Sequence, residues 1–385
     1  MALRSLRPIA VFGTCAIVSR HADVVEVLAR DDAFTISQIN APAIDRHDGP
    51  FILGMDRGPD YDENVAVLRQ AARPADLERI RRFVSDAAVR QLDAAHAAGI
   101  IDVVNGYARI VAVRLVAAYF GMPGPHEKTM MRWLRDIFYD VFLNLANRAK
   151  VRAAATRSGV ALRRHMNAVI AQRKAGARDA KSAAPDDVLG RLIALQGTDV
   201  PWLDDDALRR NLSGLIVGAV ETTSKFVTLA MYELLRRPQE FARARLAALE
   251  GDLETVKRYA YEAARFYPHT PLLFRYCAHD TEIAAGTRRA KTLRAGTRVA
   301  LGNLSAMFDR RAFASPGTFN PANDSASLHF GYGLHRCFGA MINDIVITEL
   351  VAALLKIPGL RPAAGSAGSI HWDGPFPDRY LLEFG

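Results

Sequence analysis

Phe330-Gly331-Tyr332-Gly333-Leu334-His335-Arg336-Cys337-Phe338-Gly339 leads into a stretch, Gly339 to Lys356, whose apolar residues keep helical spacing until Pro358-Gly359. That order sets a cysteine at the mouth of a helix, where unpaired backbone N–H groups and the positive end of the helix dipole favour a thiolate. The glycines let the backbone approach a flat partner closely and adopt conformations closed to other residues. Phe330 and Phe338 supply apolar cover, and His335 offers a cationic or hydrogen-bonding group near the sulfur. A lone cysteine in a Gly-rich turn is more often a buried structural residue, because free cysteine packs well in cores. The surrounding decapeptide is what argues for a ligand.

The decapeptide resembles the haem-binding signature of the cytochrome P450 family, Phe-Gly-x-Gly-x-His-x-Cys-x-Gly, at every fixed position. The resemblance implies that Cys337 is the axial ligand to the iron of haem b (iron protoporphyrin IX), with Phe330, Gly331 and Gly339 against the cofactor and His335 at a propionate. It also implies a mainly α fold with minor β, the family's triangular helical prism around a buried haem. Residues 1–385 would then be a single domain with a helix-rich part and a smaller β-rich part. Cys15 and Cys277 lie in strand-like apolar contexts without such surroundings and read as core residues.

Two helices upstream carry further parts of the resemblance. In Tyr261-Glu262-Ala263-Ala264-Arg265 a carboxylate and a guanidinium share one helical face. On spacing alone this is a solvent-exposed ion pair worth a few tenths of a kcal/mol. With its sequel Phe266-Tyr267-Pro268, it resembles the family's Glu-x-x-Arg helix, which implies a buried structural brace behind the haem. The third member of that brace would come from Phe319-Asn320-Pro321-Ala322-Asn323, where Asn323 stands in place of the family's arginine. The other helix contains Gly214-Leu215-Ile216-Val217-Gly218-Ala219-Val220-Glu221-Thr222-Thr223-Ser224. Its small residues allow a bulky group near the backbone, and an acid and an alcohol side by side in an apolar stretch are costly to bury without purpose. The competing reading is a hydroxyl bonded back to the preceding turn. The stretch resembles the family's oxygen-activation motif, with Gly218, Glu221 and Thr222 matching and Ala219 replacing a glycine beside the cofactor. This implies Glu221 and Thr222 as catalytic residues using dioxygen and a reductant, since peroxide-using members carry arginine and proline there.

Haem propionates call for cations or strong donors. Beside His335, Arg275 resembles the family's propionate arginine. Arg69 is open to two readings, a second propionate ligand or a surface residue, and Val65 stands where the family has Trp or His. The substrate pocket implied opposite the thiolate draws on the segment from Phe34 to Asp62 and on Leu215, Ala219, Leu272 and Leu273, with His269 and Phe376 as further contacts; its residues are mainly apolar, as small-molecule pockets usually are. With no reductase domain in the chain, the expected partners are a ferredoxin or flavodoxin with an NAD(P)H-dependent reductase. Arg310, Arg311 and Arg336 would form the basic docking surface.

Composition agrees and narrows the field. Half the residues are apolar and 24% are charged, which suits a globular protein with a substantial core. A net charge of +9 fits acidic partners of any kind, but there is no Cys/His finger spacing or aromatic RNA-binding signature, and the arginines are dispersed, so no nucleic-acid partner is expected. The odd, scattered cysteines point to a reducing, cytoplasmic compartment. The apolar run Ile9 to Val18, broken by Gly13-Thr14, is too short for a membrane anchor and reads as a hairpin before a helix at His21 to Leu28.

Phe34 to Asp62 reads as one long loop. Helices are expected over Leu77–Ala98, Val103–Phe120, His126–Asn147, Ala153–Arg173, Asp204–Arg236 and Leu253–Tyr267. Lys174 to Asp187 reads as a solvated linker, Pro271 to Val299 as short strands, and the C-terminus as a β tail. The expected activity is monooxygenation of an apolar small molecule. A peroxygenase, a haem-thiolate isomerase and a non-catalytic haem sensor are the alternatives.

Overall fold

The computed structural model describes residues 2–179, 185–198, 200–323 and 327–385. In chain order the first helices are α1 (Ala2–Leu6), α2 (His21–Ala29), α3 (Ser37–His47), α4 (Pro59–Ala71) and α5 (Leu77–His96). Then come α6 (Arg109–Ala118), α7 (Glu127–Phe138), α8 (Ala149–Asp179), α9 (Val188–Gln196) and α10 (Asp205–Leu235). The last are α11 (Pro238–Glu250), α12 (Leu253–Phe266), α13 (Asn303–Ala306) and α14 (Ala340–Lys356).

The axis of the molecule is α10. It begins where Asp204 accepts a hydrogen bond from the Ala207 N–H at 2.7 Å, with Asp205 and Asp206 also in the positive first turn. Its residues are buried on nearly every side, the mark of a core helix rather than an amphipathic surface one. Among the described residues it is the one helix long and apolar enough to cross a bilayer, yet most of it lies inside the protein. Helices α6, α7, α12 and α14 pack around it, and α5 lies across α14. One large apolar cluster runs through these helices.

A second cluster lies under the β-rich part. There β1 (Ile9–Phe12), β2 (Cys15–Val18), β3 (Phe34–Thr35), β5 (Leu273–Cys277) and β8 (Arg298–Leu301) form a sheet of order β1-β2-β8-β5-β3, with β2 and β8 parallel. Strand alternation turns Ala16 and Val18 inward and leaves Cys15 exposed at the hairpin end. Cys15 is therefore not a core residue, whereas Cys277 is buried as expected. Strand β4 (Ile100–Asp102) pairs with the C-terminal β12 (Leu381–Glu383), which also pairs with β9 (Arg361–Pro362). Two hairpins complete the β content, β6 (Thr281–Ile283) with β7 (Lys291–Leu293) and β10 (His371–Asp373) with β11 (Phe376–Arg379).

Two further expectations change. Phe34 to Asp62 is not one loop but carries β3, α3, a short 3₁₀ turn at Ile52–Gly54 and the start of α4. Helix α3 tolerates Pro42 and is capped from a distance, since Asp56 accepts from the Ile36 and Ser37 N–H groups at 2.8 and 3.0 Å. A cap supplied by a residue so far downstream leaves no local signature. Helix α8 continues through Lys174 to Asp179, so the expected linker begins later; its residues 180–184 lie outside the described residues.

Candidate active site

The Cys337 loop is closed by its own backbone, with the Cys337 N–H donating to the Phe330 carbonyl at 2.8 Å and Arg336 N–H to Gly333 at 3.0 Å. Gly333 is obligatory: its φ is +71°, and a Cβ there would stand 2.2 Å from the Leu28 carbonyl oxygen. The loop is thus clamped on the end of α2. Helix α14 starts just after it, and the Ala340 N–H reaches back to the Cys337 carbonyl at 3.2 Å. Burial pushes the Cys337 thiol above its ordinary value, against the opposing pull of the Gly339 N–H, Arg336, Arg69 and Asn343. The helix mouth favours thiolate as the sequence implied, but desolvation outweighs it. A bound cation would reverse that balance, since a coordinating thiol is deprotonated outright.

Among the described residues no group of three or more His, Cys, Asp or Glu is disposed to hold a metal ion. A metal on Cys337 therefore needs its remaining ligands from a cofactor. The neighbouring side chains suit a flat, dianionic one. Arg275 is only 4% exposed, and its guanidinium donates to the Phe274 carbonyl at 2.8 Å rather than to an acid. Burial lowers its pKa to about 10, with Asp56 and Asp31 opposing. The His335 ring has a buried Nδ1 without a partner and is edge-on to Tyr61 at 5.4 Å. Burial, then Arg275, lowers its pKa to about 4, so near neutral pH it is a neutral hydrogen-bonding group, not a cation. A buried guanidinium and an unsatisfied imidazole side by side are costly unless carboxylates meet them. Propionates would. Arg69 is placed differently: its exposed guanidinium stacks on the Phe338 ring at 4.0 Å and donates to the Phe338 carbonyl at 3.1 Å.

Helix α10 contributes the opposite wall. Along its buried length Gly214, Leu215, Gly218, Ala219 and Thr222 are only partly covered, and their spacing puts them on one face. A Cβ on Gly218 would meet open space, whereas one on Gly214 would fall 2.4 Å from the Phe51 ring. Phe51, from the segment between α3 and α4, thus roofs one end of this face.

The acid and the alcohol on α10 are both engaged. Glu221, 2% exposed, receives Arg109 Nη2 on Oε2 at 2.7 Å, while its Oε1 has no partner. Arg109 is buried too, follows a wide π turn over Val103–Ala108, and donates to Asn105 at 2.7 Å. The Thr222 hydroxyl donates to the Gly218 carbonyl at 2.6 Å, the back-bonded geometry weighed from sequence. Lys225, one turn on, is lowered to about 8 by burial, with Glu221 opposing.

On α12, Glu262 and Arg265 form a fully buried bidentate pair, with Nε to Oε2 and Nη2 to Oε1 both at 2.7 Å. Arg265 also donates to the carbonyls of Met307 at 3.0 Å and Pro316 at 2.9 Å. Asn323 reaches Glu262 Oε1 only at 3.5 Å, while the Asn320 N–H does so at 2.8 Å. The brace is therefore completed chiefly by backbone, which makes the missing arginine tolerable.

Of the expected pocket residues, Leu215 packs against the cluster of Ile44, Phe51, Ile52, Tyr61 and Leu68, Leu273 Cδ1 lies 3.7 Å from where a Gly331 Cβ would be, and Leu272 is 42% exposed. Phe330 stacks edge-on with Tyr261 at 5.9 Å. Phe376 is fully buried against Phe138 and Tyr139, and His269 packs on Phe226 with its Nδ1 unpaired. Sequence reasoning missed Arg109 and Asn343, and included Phe51 only as part of the Phe34 to Asp62 segment. Only Arg109 had a signal, a lone charge in the apolar run Ala108–Val113.

Comparison with known proteins agrees with this geometry. The family model described as Cytochrome P450 matches residues 14–356. The nocardicin C N-oxygenase of Nocardia uniformis subsp. tsuyamanensis is 27% identical over 365 residues, covering 91% of this chain and 83% of that protein. The 6-deoxyerythronolide B hydroxylase of Saccharopolyspora erythraea is 24% identical, covering 81% and 70%. Among solved structures, that of CalO2 superposes with a TM-score of 0.83 at 24% identity, covering all of this chain and 94% of that one. With a cysteine loop at the mouth of α14, cofactor-ready donors beside it and an open face of α10 opposite, this chain belongs to the cytochrome P450 family of haem b monooxygenases.

Proposed function

We propose that the protein hydroxylates or otherwise oxidises an apolar small molecule with dioxygen and electrons delivered by a separate acidic redox protein. The overall change is R–H plus O₂ plus two electrons and two protons, giving R–OH and water. The observation that carries this reading is the coexistence on α10 of an uncovered small-residue face with a buried acid and an adjacent alcohol. When bound, the haem would supply dioxygen-activating iron chemistry, and the Cys337 thiolate would donate electron density to it.

The chain's own residues divide the remaining work. Cys337 would hold the iron, Arg275 and His335 would take the propionates, and Phe330, Gly331, Gly339 and Ala219 would border the macrocycle. Arg69, committed to Phe338 at the surface, belongs with exposed Arg310, Arg311 and Arg336 to a docking face for a ferredoxin or flavodoxin fed by an NAD(P)H-dependent reductase. Leu215, Leu272 and Leu273 line the substrate side. Thr222 hands a proton into the groove by turning its hydroxyl from the Gly218 carbonyl. Glu221, held by Arg109 at Oε2, keeps Oε1 free to take up a proton from solvent and pass it on to Thr222.

The test is spectroscopic first. The reduced protein under carbon monoxide should show the red-shifted Soret band of thiolate ligation, and Cys337→Ser should abolish it; persistence of the band in Cys337→Ser refutes the ligand assignment. Reconstitution with a ferredoxin, its reductase and NADH should then couple NADH oxidation to substrate oxygenation. Turnover with peroxide alone would favour a peroxygenase, and haem uptake without any oxygen consumption a sensor.

A further inference from the structure

Asn343 stands one turn into α14, and its side chain points back toward the mouth of the helix. Nδ2 lies 4.0 Å from Cys337 Sγ, and Oδ1 accepts a hydrogen bond from the Thr223 hydroxyl at 3.3 Å. The same Nδ2 lies 3.8 Å from where a Gly339 Cβ would be, so the lack of a side chain at Gly339 leaves the amide a clear approach to the sulfur. The amide has two possible orientations. A thiolate sulfur can only accept, and Thr223 can donate to an amide oxygen, so both contacts are satisfied only with the NH₂ toward sulfur. Thr223 is the neighbour of Thr222 on α10. A short polar bridge thus runs from the oxygen-side helix to the axial sulfur.

We propose that Asn343 is a hydrogen-bond donor to the Cys337 thiolate, positioned by Thr223, and that it sets the reduction potential of the iron. The inference rests on Cys337 being the axial ligand. An N–H aimed at a thiolate withdraws electron density from the sulfur, weakens its donation to the metal and favours the ferrous state; such outer contacts are known levers on metal sites. Thr223 acts through Asn343 by fixing the amide's orientation. Its own hydroxyl is turned to Oδ1 rather than to the sulfur.

The experiment uses the haem-loaded protein and two variants, Asn343→Leu, which keeps the volume and removes the donor, and Thr223→Val, which leaves the amide in place but unheld. Potentiometric titration of the ferric/ferrous couple and the ferrous–carbon monoxide spectrum are the readouts. Asn343→Leu should shift the equilibrium toward ferric by about three- to tenfold, the upper figure corresponding to about 59 mV for a one-electron couple. Thr223→Val should shift it the same way by less. The carbon monoxide band should stay in its thiolate position, moved slightly to the red. An unchanged potential in haem-loaded Asn343→Leu, or a shift toward ferrous, overturns the proposal. Should Asn343→Leu fail to load haem, Thr223→Val decides, and an unchanged potential there overturns it. A missing thiolate band in the unmodified protein would instead sink the ligand assignment, so the two failures are distinguishable.

Discussion

Thr222 holds its hydroxyl on the Gly218 carbonyl, so its proton is available only when that bond opens. If the hydroxyl is the last donor into the groove, Thr222→Ala should still consume NADH and oxygen but release most of the oxygen as peroxide. We expect product formed per NADH to fall about a hundredfold, the lower end of the range for a positioned proton donor, with Thr222→Ser restoring much of it. Equal coupling in Thr222→Ala would remove the residue from the proton path. The hydroxyl was legible in the sequence because it sits beside an acid in an apolar run. Its partner's partner was only half legible. Arg109 lies more than a hundred positions away in sequence, and nothing local says which buried acid it will meet. The sulfur's surroundings divided the same way: the decapeptide announced Cys337, while the amide of Asn343 beside it emerged only once α14 and α10 were in place.

Helices were read well where periodicity was strong and poorly where stability comes from elsewhere in the chain. The expected spans for α5, α10, α12 and α14 agree with the observed ones to within two or three residues at either end, because each buries a continuous apolar face. Helix α3 escaped notice because it buries little beyond Ile44 and His47, contains Pro42, and relies on the Asp56 carboxylate for its first N–H groups. Asp56→Ala should therefore destabilise α3 locally by about 0.5–2 kcal/mol, the usual cost of losing a cap. Hydrogen exchange at the amides of residues 36–40 should rise, while exchange in α10 stays slow. Uniform acceleration throughout the chain would mean that Asp56 supports more than this one helix. The brace on α12 illustrates the opposite case, in which Glu262 and Arg265 were plain in sequence and their burial followed from the family resemblance, not from their spacing. Spacing alone described a weak surface pair, and the Phe266, Phe308 and Phe313 rings packed over Arg265 help to make it an interior one.

Across the whole molecule, charge and burial give two further expectations. With a net charge of +9 and arginines exposed beside the cysteine loop, reduction by an acidic ferredoxin should slow as salt is raised from about 0.05 to 0.5 M, because screening shortens the reach of the attraction. A salt-independent rate would place docking on another surface. Burial holds His269 down to about 3 and His329 down to about 4, and lowers His47 despite the pull of Asp140. The folded chain refuses protons that the unfolded chain accepts near the ordinary histidine value of 6.5. Stability from these groups is therefore complete above that value and is lost progressively as pH falls toward 4. The urea midpoint should fall clearly between pH 7.5 and 5, and a flat profile would contradict it. The burial of α10 has a consequence for biogenesis. This bilayer-length apolar helix leaves the ribosome about a hundred residues before α14, one of the helices that cover it, has been synthesised. During that interval the nascent chain presents something a membrane-insertion machinery can mistake for a span. Chains truncated before α14 should accordingly turn up in the membrane fraction or in the grip of chaperones, while the full chain does not.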